Sequence, residues 1–146
     1  MSSRRNEDNY LWYIKDIGLV IRWVKKQYGL QRADIELLLY LNQFRFFTRK
    51  QFKDGAMLYS WDKNRHLRLT KDGWISKTYE GNRRLGEHDK YTVSRDCVRM
   101  LRRIDRILRG KEDMPQSVRN KVWNGKSYSD KVMKNSIKNK YENGDN

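Results

Sequence analysis

The stretch that decides the fold runs from Thr48 to Ser94 and reads TRKQFKDGAMLYSWDKNRHLRLTKDGWISKTYEGNRRLGEHDKYTVS. It opens with the clearest helix start in the chain, because Thr48 at the N-cap and Gln51 three residues later have the spacing of a capping box. Phe47 and Phe52 flank that box with the spacing of a hydrophobic staple. The pattern predicts a short helix that begins just after Thr48.

Small and polar residues then predict a break and a second helix. Gly55 is predicted to end the first helix, Ser60 to cap the second and Gly73 to end it. Asp62 is expected in the first turn of the second helix, where a carboxylate complements the helix dipole. Four-residue spacing marks the packed stripe of this helix, which consists of Trp61, Arg65 and Leu69. Two short helices joined by a few residues predict a helix-turn-helix.

A β-hairpin is predicted directly after the second helix. The segments Trp74 to Tyr79 and Lys90 to Val93 are rich in the β-branched and aromatic residues that strands favour. The turn between them, Gly81 to Gly86, carries Arg83 and Arg84 at its tip. This order predicts a mainly α protein with a small β-hairpin wing, that is, a winged helix-turn-helix with flanking N- and C-terminal helices.

Amphipathic segments on both sides predict the flanking helices. The first covers residues 10–28 and stops at Gly29; the second covers 31–42; a later helix is capped by Ser94, and the last spans 127–141. The second is expected to bury Ile35, Leu38, Leu39 and Leu41.

The predicted organisation is one domain with an extension. Residues 1–9 are interpreted as a flexible N-terminus, 10–115 as the winged-helix domain, 116–142 as a C-terminal helical extension and 143–146 as a polar tail.

The charge of the chain indicates a polyanionic partner. Its 146 residues include 33 Lys and Arg against 18 Asp and Glu, a formal net charge of +15, and such self-repulsion is relieved by nucleic acid, an anionic membrane or an acidic protein. Cys97 is the only cysteine, which excludes an internal disulfide, and we expect it to be buried. Because neither a long apolar run nor a secretion signal is found, the sequence predicts a cytoplasmic protein.

Motifs of catalysis and of cofactor binding are missing from the sequence. It contains no nucleotide-binding fingerprint, no nucleophile elbow and no paired acid–base constellation. His66 and His88 are lone histidines without a second ligand at metal spacing. We therefore expect no enzymatic activity, no cofactor and no metal.

The element order and several local sequences resemble the MarR-like winged-helix proteins, especially the small members encoded by bacteriophages. The resemblance covers roughly residues 30–115. The residues that carry it are Leu37 to Leu41, Phe47-Thr48, Trp61 to Arg65, Leu69, Lys71 to Ile75, Tyr91 to Ser94 and Leu108 to Pro115. It implies a transcriptional regulator that dimerises through its first and last helices and places two recognition helices on a pseudo-palindromic DNA site.

Candidate DNA contacts lie on the second helix of the helix-turn-helix and on the wing. The helix residues that we expect to project outward are Lys63, Asn64, His66, Arg68 and Lys71. Asn reads adenine and Arg reads guanine in the major groove, while solvated charged faces of this kind are also common on helices that only pack. Arg83 and Arg84 are expected to contact phosphates or the minor groove, and Lys77 on the first strand is also predicted to bind DNA.

Arginines are also frequent on the helix that follows the wing. They could line DNA, face an acidic partner, or pair with Asp96 and Asp105. The residues concerned are Arg95, Arg99, Arg102, Arg103, Arg106 and Arg109.

Two functions follow from the basic surface and the resemblance. The first is a phage-encoded regulator that binds double-stranded DNA, as a homodimer, in the host cytoplasm. The alternative is a subunit of the phage particle, in the vicinity of the portal, neck, tail or capsid, that uses the same fold for protein or DNA contacts. A membrane partner is disfavoured, because the 128–141 segment is only weakly amphipathic and rich in Asn and Lys.

Overall fold

A computed structural model of the chain describes residues 16–59 and 62–143. This part is mainly helical and contains a two-stranded antiparallel hairpin, which confirms the predicted mainly α class with a small β-hairpin. The elements are α1 (described over residues 16–28), α2 (Arg32–Leu41), α3 (Arg49–Tyr59), α4 (Arg65–Lys71), β1 (Ile75–Tyr79), β2 (Lys90–Val93), α5 (Arg95–Leu108) and α6 (Tyr128–Asn143), with 3-10 turns at Arg83–Leu85 and Lys121–Asn124.

Some sequence predictions fall outside the described residues. They are the flexible residues 1–9, the start of the first helix, the cap Ser60, the stripe residue Trp61 and the end of the polar tail. Within the described ranges, every helix is too short or too polar to cross a membrane.

The chain forms two compact units. One comprises residues 31–102, and the other is built from both ends of the chain, with described residues 16–30 and 103–143. This division differs from the boundary at residue 115 that the sequence suggested. Helix α5 begins in the first unit and ends in the second.

Helix α3 begins as its local sequence predicts. The Thr48 amide donates to Gln51 Oε1 at 2.9 Å, and the Gln51 amide donates to Thr48 Oγ1 at 3.3 Å. The rings of Phe47 and Phe52 stack with centroids 6.4 Å apart. The capping box and the staple are therefore both confirmed.

The predicted end of α3 at Gly55 is wrong, because the helix continues to Tyr59. Gly55 lies where α3 approaches α2: a Cβ at this position would stand 2.6 Å from Tyr40 Cδ1 and 2.9 Å from Leu37 Cδ1. The missing side chain of Gly55 thus allows close packing of the two helices rather than a helix end.

The predicted start of α4 near Ser60 is also wrong. The helix begins at Arg65, with Asn64 at the N-cap, and Asp62 precedes it instead of occupying its first turn. The Asn64 amide donates to Asp62 Oδ1 at 2.9 Å, a local bond by which an aspartate competes with helix formation. Gly73 has a φ of 82° and follows the last turn, as predicted.

Helix α2 buries a different set of aliphatic residues from the predicted one. Leu39 is 50% exposed, whereas Leu37, which was not predicted inward, is fully buried. The buried arc is centred on Asp34, Leu38 and Leu41, and Leu39 falls outside it at 100° per residue. The predicted burial of Ile35, Leu38 and Leu41 is confirmed.

The hairpin pairs β1 with β2 in the predicted order. Ile75 faces Val93 and Lys77 faces Tyr91, and an irregularity follows between Lys77 and Tyr79. Phe47 extends the pairing, since its amide and carbonyl each bond Tyr91 at 2.8 Å. The residue that staples α3 is therefore also fixed to the hairpin.

The unit formed by the chain ends is held around α1. Trp23 is fully buried, with the Arg103 guanidinium 5.1 Å from its ring centroid. The Gln27 side chain donates to the Arg119 carbonyl at 3.1 Å and accepts from the Lys121 amide at 2.9 Å. The last helix, α6, is capped by Ser127, whose Oγ accepts from the Asp130 amide at 3.0 Å.

Helix α5 is capped by Ser94, whose Oγ accepts from the Cys97 amide at 3.1 Å. Cys97 is fully buried, as predicted. Burial raises the pKa of its thiol to about 12, so the side chain behaves as a small apolar group.

Candidate nucleic-acid interface

The inner face of α4 is fixed to α2 by one buried carboxylate. Asp34 is fully buried, and its Oδ1 accepts from Arg65 Nε at 2.7 Å. Arg68 forms two further bonds to Asp34, of 2.7 and 2.8 Å. Burial acts to raise the pKa of Asp34, but the hydrogen bonds from Arg68, from the Gln31 amide and from Arg65 outweigh it and lower the pKa. Asp34 therefore remains ionised and orients α4.

Arg68 does not project outward as predicted. Two of its guanidinium nitrogens bond Asp34, a third contact reaches Asp62 at 3.9 Å, and its side chain is 31% exposed. Hydrogen bonding to Asp34 is the main reason that the pKa of Arg68 is raised. Arg68 turns inward because the buried carboxylate of α2 attracts its guanidinium more strongly than solvent does.

His66 does not project outward either. It is 6% exposed and lies edge-on between Phe52 and Tyr91, with ring centroids 4.8 and 4.9 Å away. Burial, then the nearby charges of Arg49 and Lys77, lower the pKa of His66 to about 4. The neutral ring accepts through Nδ1 from Arg49 Nη1 at 3.1 Å, because a guanidinium can only donate.

The outer face of α4 is exposed and chemically mixed. With the turn that precedes the helix included, it consists of Lys63, Asn64, Leu67, Thr70 and Lys71; the name outer face of α4 is used for this set. Lys63, Asn64 and Lys71 were predicted here, whereas Leu67 and Thr70 were missed. Leu67 is 68% exposed, and its spacing of three and four residues from Asn64 and Lys71 is the sequence signal that could have identified it.

This outer face offers both polar and apolar groups. Lysine and asparagine side chains can bond base edges, and an exposed leucine can contact the thymine methyl group in the major groove. Thr70 Oγ1 donates to the His66 carbonyl at 2.7 Å. That bond leaves the threonine methyl group and the hydroxyl lone pairs at the surface.

Lys77 lies on β1 and is exposed, but it has a partner. Its Nζ is 3.3 Å from Asp89 Oδ2, and hydrogen bonding to Asp89 raises the pKa of Lys77. Asp89 also accepts from the Gly81 amide at 2.9 Å. Lys77 and Asp89 thus link β1 to the loop that leads into β2, and only part of the lysine charge is left for an external anion.

The tip of the hairpin presents two arginines. Asn82 Oδ1 accepts from the Arg84 amide at 3.0 Å and begins the 3-10 turn Arg83–Leu85. Gly81 allows the loop to close tightly, since a Cβ there would stand 2.4 Å from the Glu87 carbonyl oxygen. Both arginines are exposed and neither has a carboxylate within 4 Å among the described residues, while the pKa of Asp89 is lowered mainly by the hydrogen bond from the Gly81 amide and in part by the charge of Arg83. Their charge is therefore available to an anionic partner.

Of the eight predicted contacts, the structure places six at the surface of one compact unit; His66 is buried, and Arg68 is half-buried and turned onto Asp34. Residues 16–59 and 62–143 contain no cluster of three or more His, Cys, Asp or Glu residues suited to a metal ion. Comparison of the chain with protein-family models, with curated proteins and with solved structures finds no match.

Proposed function

We propose that this chain is a winged helix-turn-helix protein that binds double-stranded DNA, with α4 in the major groove and the hairpin as the wing. One observation carries the proposal: α4 has one face fixed by Asp34 and an opposite face exposed with base-reading side chains. The next element along the chain is a hairpin with Arg83 and Arg84 at its tip. The net charge of +15 supports a nucleic-acid partner.

The role that we propose for each side chain follows from its chemistry. Asn64, Leu67 and Lys71 contact base edges, and Asn64 is suited to adenine. Arg83 and Arg84 contact phosphates or the minor groove, where they contribute affinity without sequence information. His66 and Arg68 act indirectly, because they hold α4 in place from behind.

The resemblance to MarR-like proteins supports the finer proposal of a phage-encoded transcriptional regulator that acts as a homodimer. Such a dimer would place its two α4 helices about 34 Å apart on DNA. A duplex selected from a random pool should then contain two half-sites separated by one helical turn. A selected site without symmetry would argue against the regulator and for the particle subunit, which mass spectrometry of purified virions would detect.

The DNA-binding proposal is tested by the double variant R83A/R84A. Fluorescence anisotropy with a random-sequence duplex, over 50–200 mM salt, gives the slope of log K against log salt. Loss of two phosphate contacts should make this slope shallower by about 2, at roughly 0.9 for each contact.

The matched control is K126A/K131A, which removes the same charge from exposed lysines in the other compact unit. It should leave the slope nearly unchanged. If both double variants change the slope equally, the hairpin tip does not touch the DNA backbone.

A further inference from the structure

Helix α5 carries a continuous row of arginines that the proposed interface does not use. Arg95, Arg99, Arg102 and Arg106 follow one another in steps of four, three and four residues, so they share one face of the helix, and Arg109 continues the spacing directly after the last helical residue. All five are exposed. We call this set the α5 arginine stripe. At 1.5 Å per residue it is about 21 Å long.

The opposite face of α5 is buried in the protein interior. It consists of Cys97, Met100, Leu101, Ile104 and Ile107, all of which are buried. The helix therefore cannot turn its apolar side toward a membrane, as an interfacial helix must. Its exposed side carries no aromatic or large aliphatic residue, so any partner must be bound by the arginines themselves.

The carboxylates beside the stripe compensate only part of its charge. Asp96 lies 3.7 Å from Arg99, and Asp105 lies 2.8 Å from Arg109. Arg95 and Arg102 have no ion pair with any residue that the structure describes.

Glu112 lies 3.3 Å from Arg106, but its shorter contact, of 2.7 Å, is to Arg103, which lies off the stripe. Exposed pairs of this kind contribute only about 0–1 kcal/mol. They are readily exchanged for a stronger anion, and a net positive charge remains on the stripe in any case.

We propose that the α5 arginine stripe binds the phosphodiester backbone of nucleic acid, as a second surface separate from the outer face of α4 and the hairpin tip. Guanidinium groups match phosphate oxygens with paired N–H donors. A row of evenly repeated cations, without anchors for a shaped partner, fits a polymer that carries evenly repeated anions. Binding at the stripe is then independent of base sequence and gives the protein non-specific affinity for nucleic acid.

The test uses the full chain with the triple variant R95Q/R99Q/R102Q. Two of these arginines have no ion pair in the described structure and the third has only an exposed one, so the fold should persist, as circular dichroism would verify. For a random-sequence duplex, the slope of log K against log salt should become shallower by about 2 to 3. The affinity should fall by at least about tenfold at 150 mM salt.

The matched control is K111Q/K126Q/K131Q, which removes three charges from exposed lysines outside the stripe. It should change the slope by much less than the arginine variant does. Equal changes in the two variants would mean that only net charge matters, and would overturn the proposal.

A second background separates this proposal from the function proposed above. In K63Q/K71Q/R83Q/R84Q the α4 and hairpin contacts are removed, and salt-dependent binding of random duplex should remain until the stripe variant is added. Residual binding that survives the added R95Q/R99Q/R102Q overturns the stripe. A quadruple variant that binds like the wild type contradicts the α4 interface and leaves the stripe as the binding surface. Loss of binding to phosphatidylglycerol vesicles alone, with DNA binding intact, would assign the stripe to a membrane and overturn the proposal.

Discussion

The imidazole of His66 is buried between two aromatic rings, which makes the stability of the 31–102 unit depend on pH. The folded state holds a pKa of about 4, against 6.5 for the free side chain. As the pH falls from 6.5 toward 4, the unfolded chain therefore binds more protons than the folded one, and the free energy of unfolding decreases.

We expect a loss of about 2 kcal/mol between pH 7 and pH 5, measured by urea unfolding. His66→Phe keeps an aromatic ring but cannot titrate, so it should flatten the profile. His88→Gln replaces a histidine on the exposed hairpin loop and should keep the wild-type profile. A pH dependence that persists in the phenylalanine variant would refute this explanation.

Asp34 is the residue whose loss should be most costly in α2. Its carboxylate neutralises Arg65, which is 2% exposed, and binds Arg68 at two points. Asp34→Asn removes the buried carboxylate that Arg65 and Arg68 share, and we expect the free energy of unfolding to fall by about 3–5 kcal/mol. Glu36→Gln removes a carboxylate from the same helix whose pair with Arg32 is exposed, and should cost no more than about 0.5 kcal/mol. Similar losses in the two variants would show that the buried cluster of Asp34, Arg65 and Arg68 contributes no more to the free energy of unfolding than the exposed pair does.

The candidate contacts of α4 show which side-chain directions the sequence could predict and which it could not. Lys63, Asn64 and Lys71 are exposed, as predicted: Lys71 lies on the outer face of α4, and Lys63 and Asn64 lie in the turn that precedes it. His66 and Arg68 were misplaced, because their directions are set by partners far away in the chain, Tyr91 and Asp34. In a helix of only 7 residues, one such partner outweighs the periodic pattern.

At the scale of the elements, Gly55 shows how packing overrides a local signal. Glycine is a poor helix former by about 1 kcal/mol relative to alanine, which is why the sequence predicts a break. Gly55→Ala should nevertheless destabilise the protein, by about 1–3 kcal/mol, because its Cβ would stand 2.6 Å from the Tyr40 ring.

The chain offers a matched control in Gly18, which lies in α1 with nothing within 4 Å of a built Cβ. Gly18→Ala should raise the free energy of unfolding by about 0.5–1 kcal/mol. Thermal and urea unfolding of the two variants measure both effects. A stabilising Gly55→Ala would mean that α2 and α3 are not in close contact at this point.

Several helix and strand boundaries were predicted correctly. The capping box of Thr48 and Gln51, the Ser94 cap and the second strand of the hairpin all agree with the structure. The start of α4 was not, since the bond between Asp62 and the Asn64 amide keeps that turn out of the helix. The same residue types, Ser, Thr, Asn and Asp, either cap a helix or compete with its formation, and only the geometry shows which of the two occurs.

At the scale of the molecule, the sequence located the basic residues along the chain but did not show that Arg68 and Arg103 are turned toward carboxylates and only 31% exposed. The structure collects exposed cations on α4, on the hairpin tip and along α5. The division into two units could not be predicted either. It depends on contacts between the two ends of the chain, such as the bond between Gln27 and Lys121 and the ion pair of Lys26 with Asp130.

The unit built from both chain ends has a consequence for synthesis on the ribosome. Helix α1 is synthesised before Arg103, which packs on the Trp23 ring, and before Arg119 and Lys121, which bond the Gln27 side chain. Residues 31–102, which form a unit of their own, are all synthesised in between. Until the later segment has been synthesised, Trp23 lacks the Arg103 guanidinium on its ring and Gln27 lacks both of its backbone partners. Apolar surface that is left incomplete in this way is a target for chaperones and for aggregation.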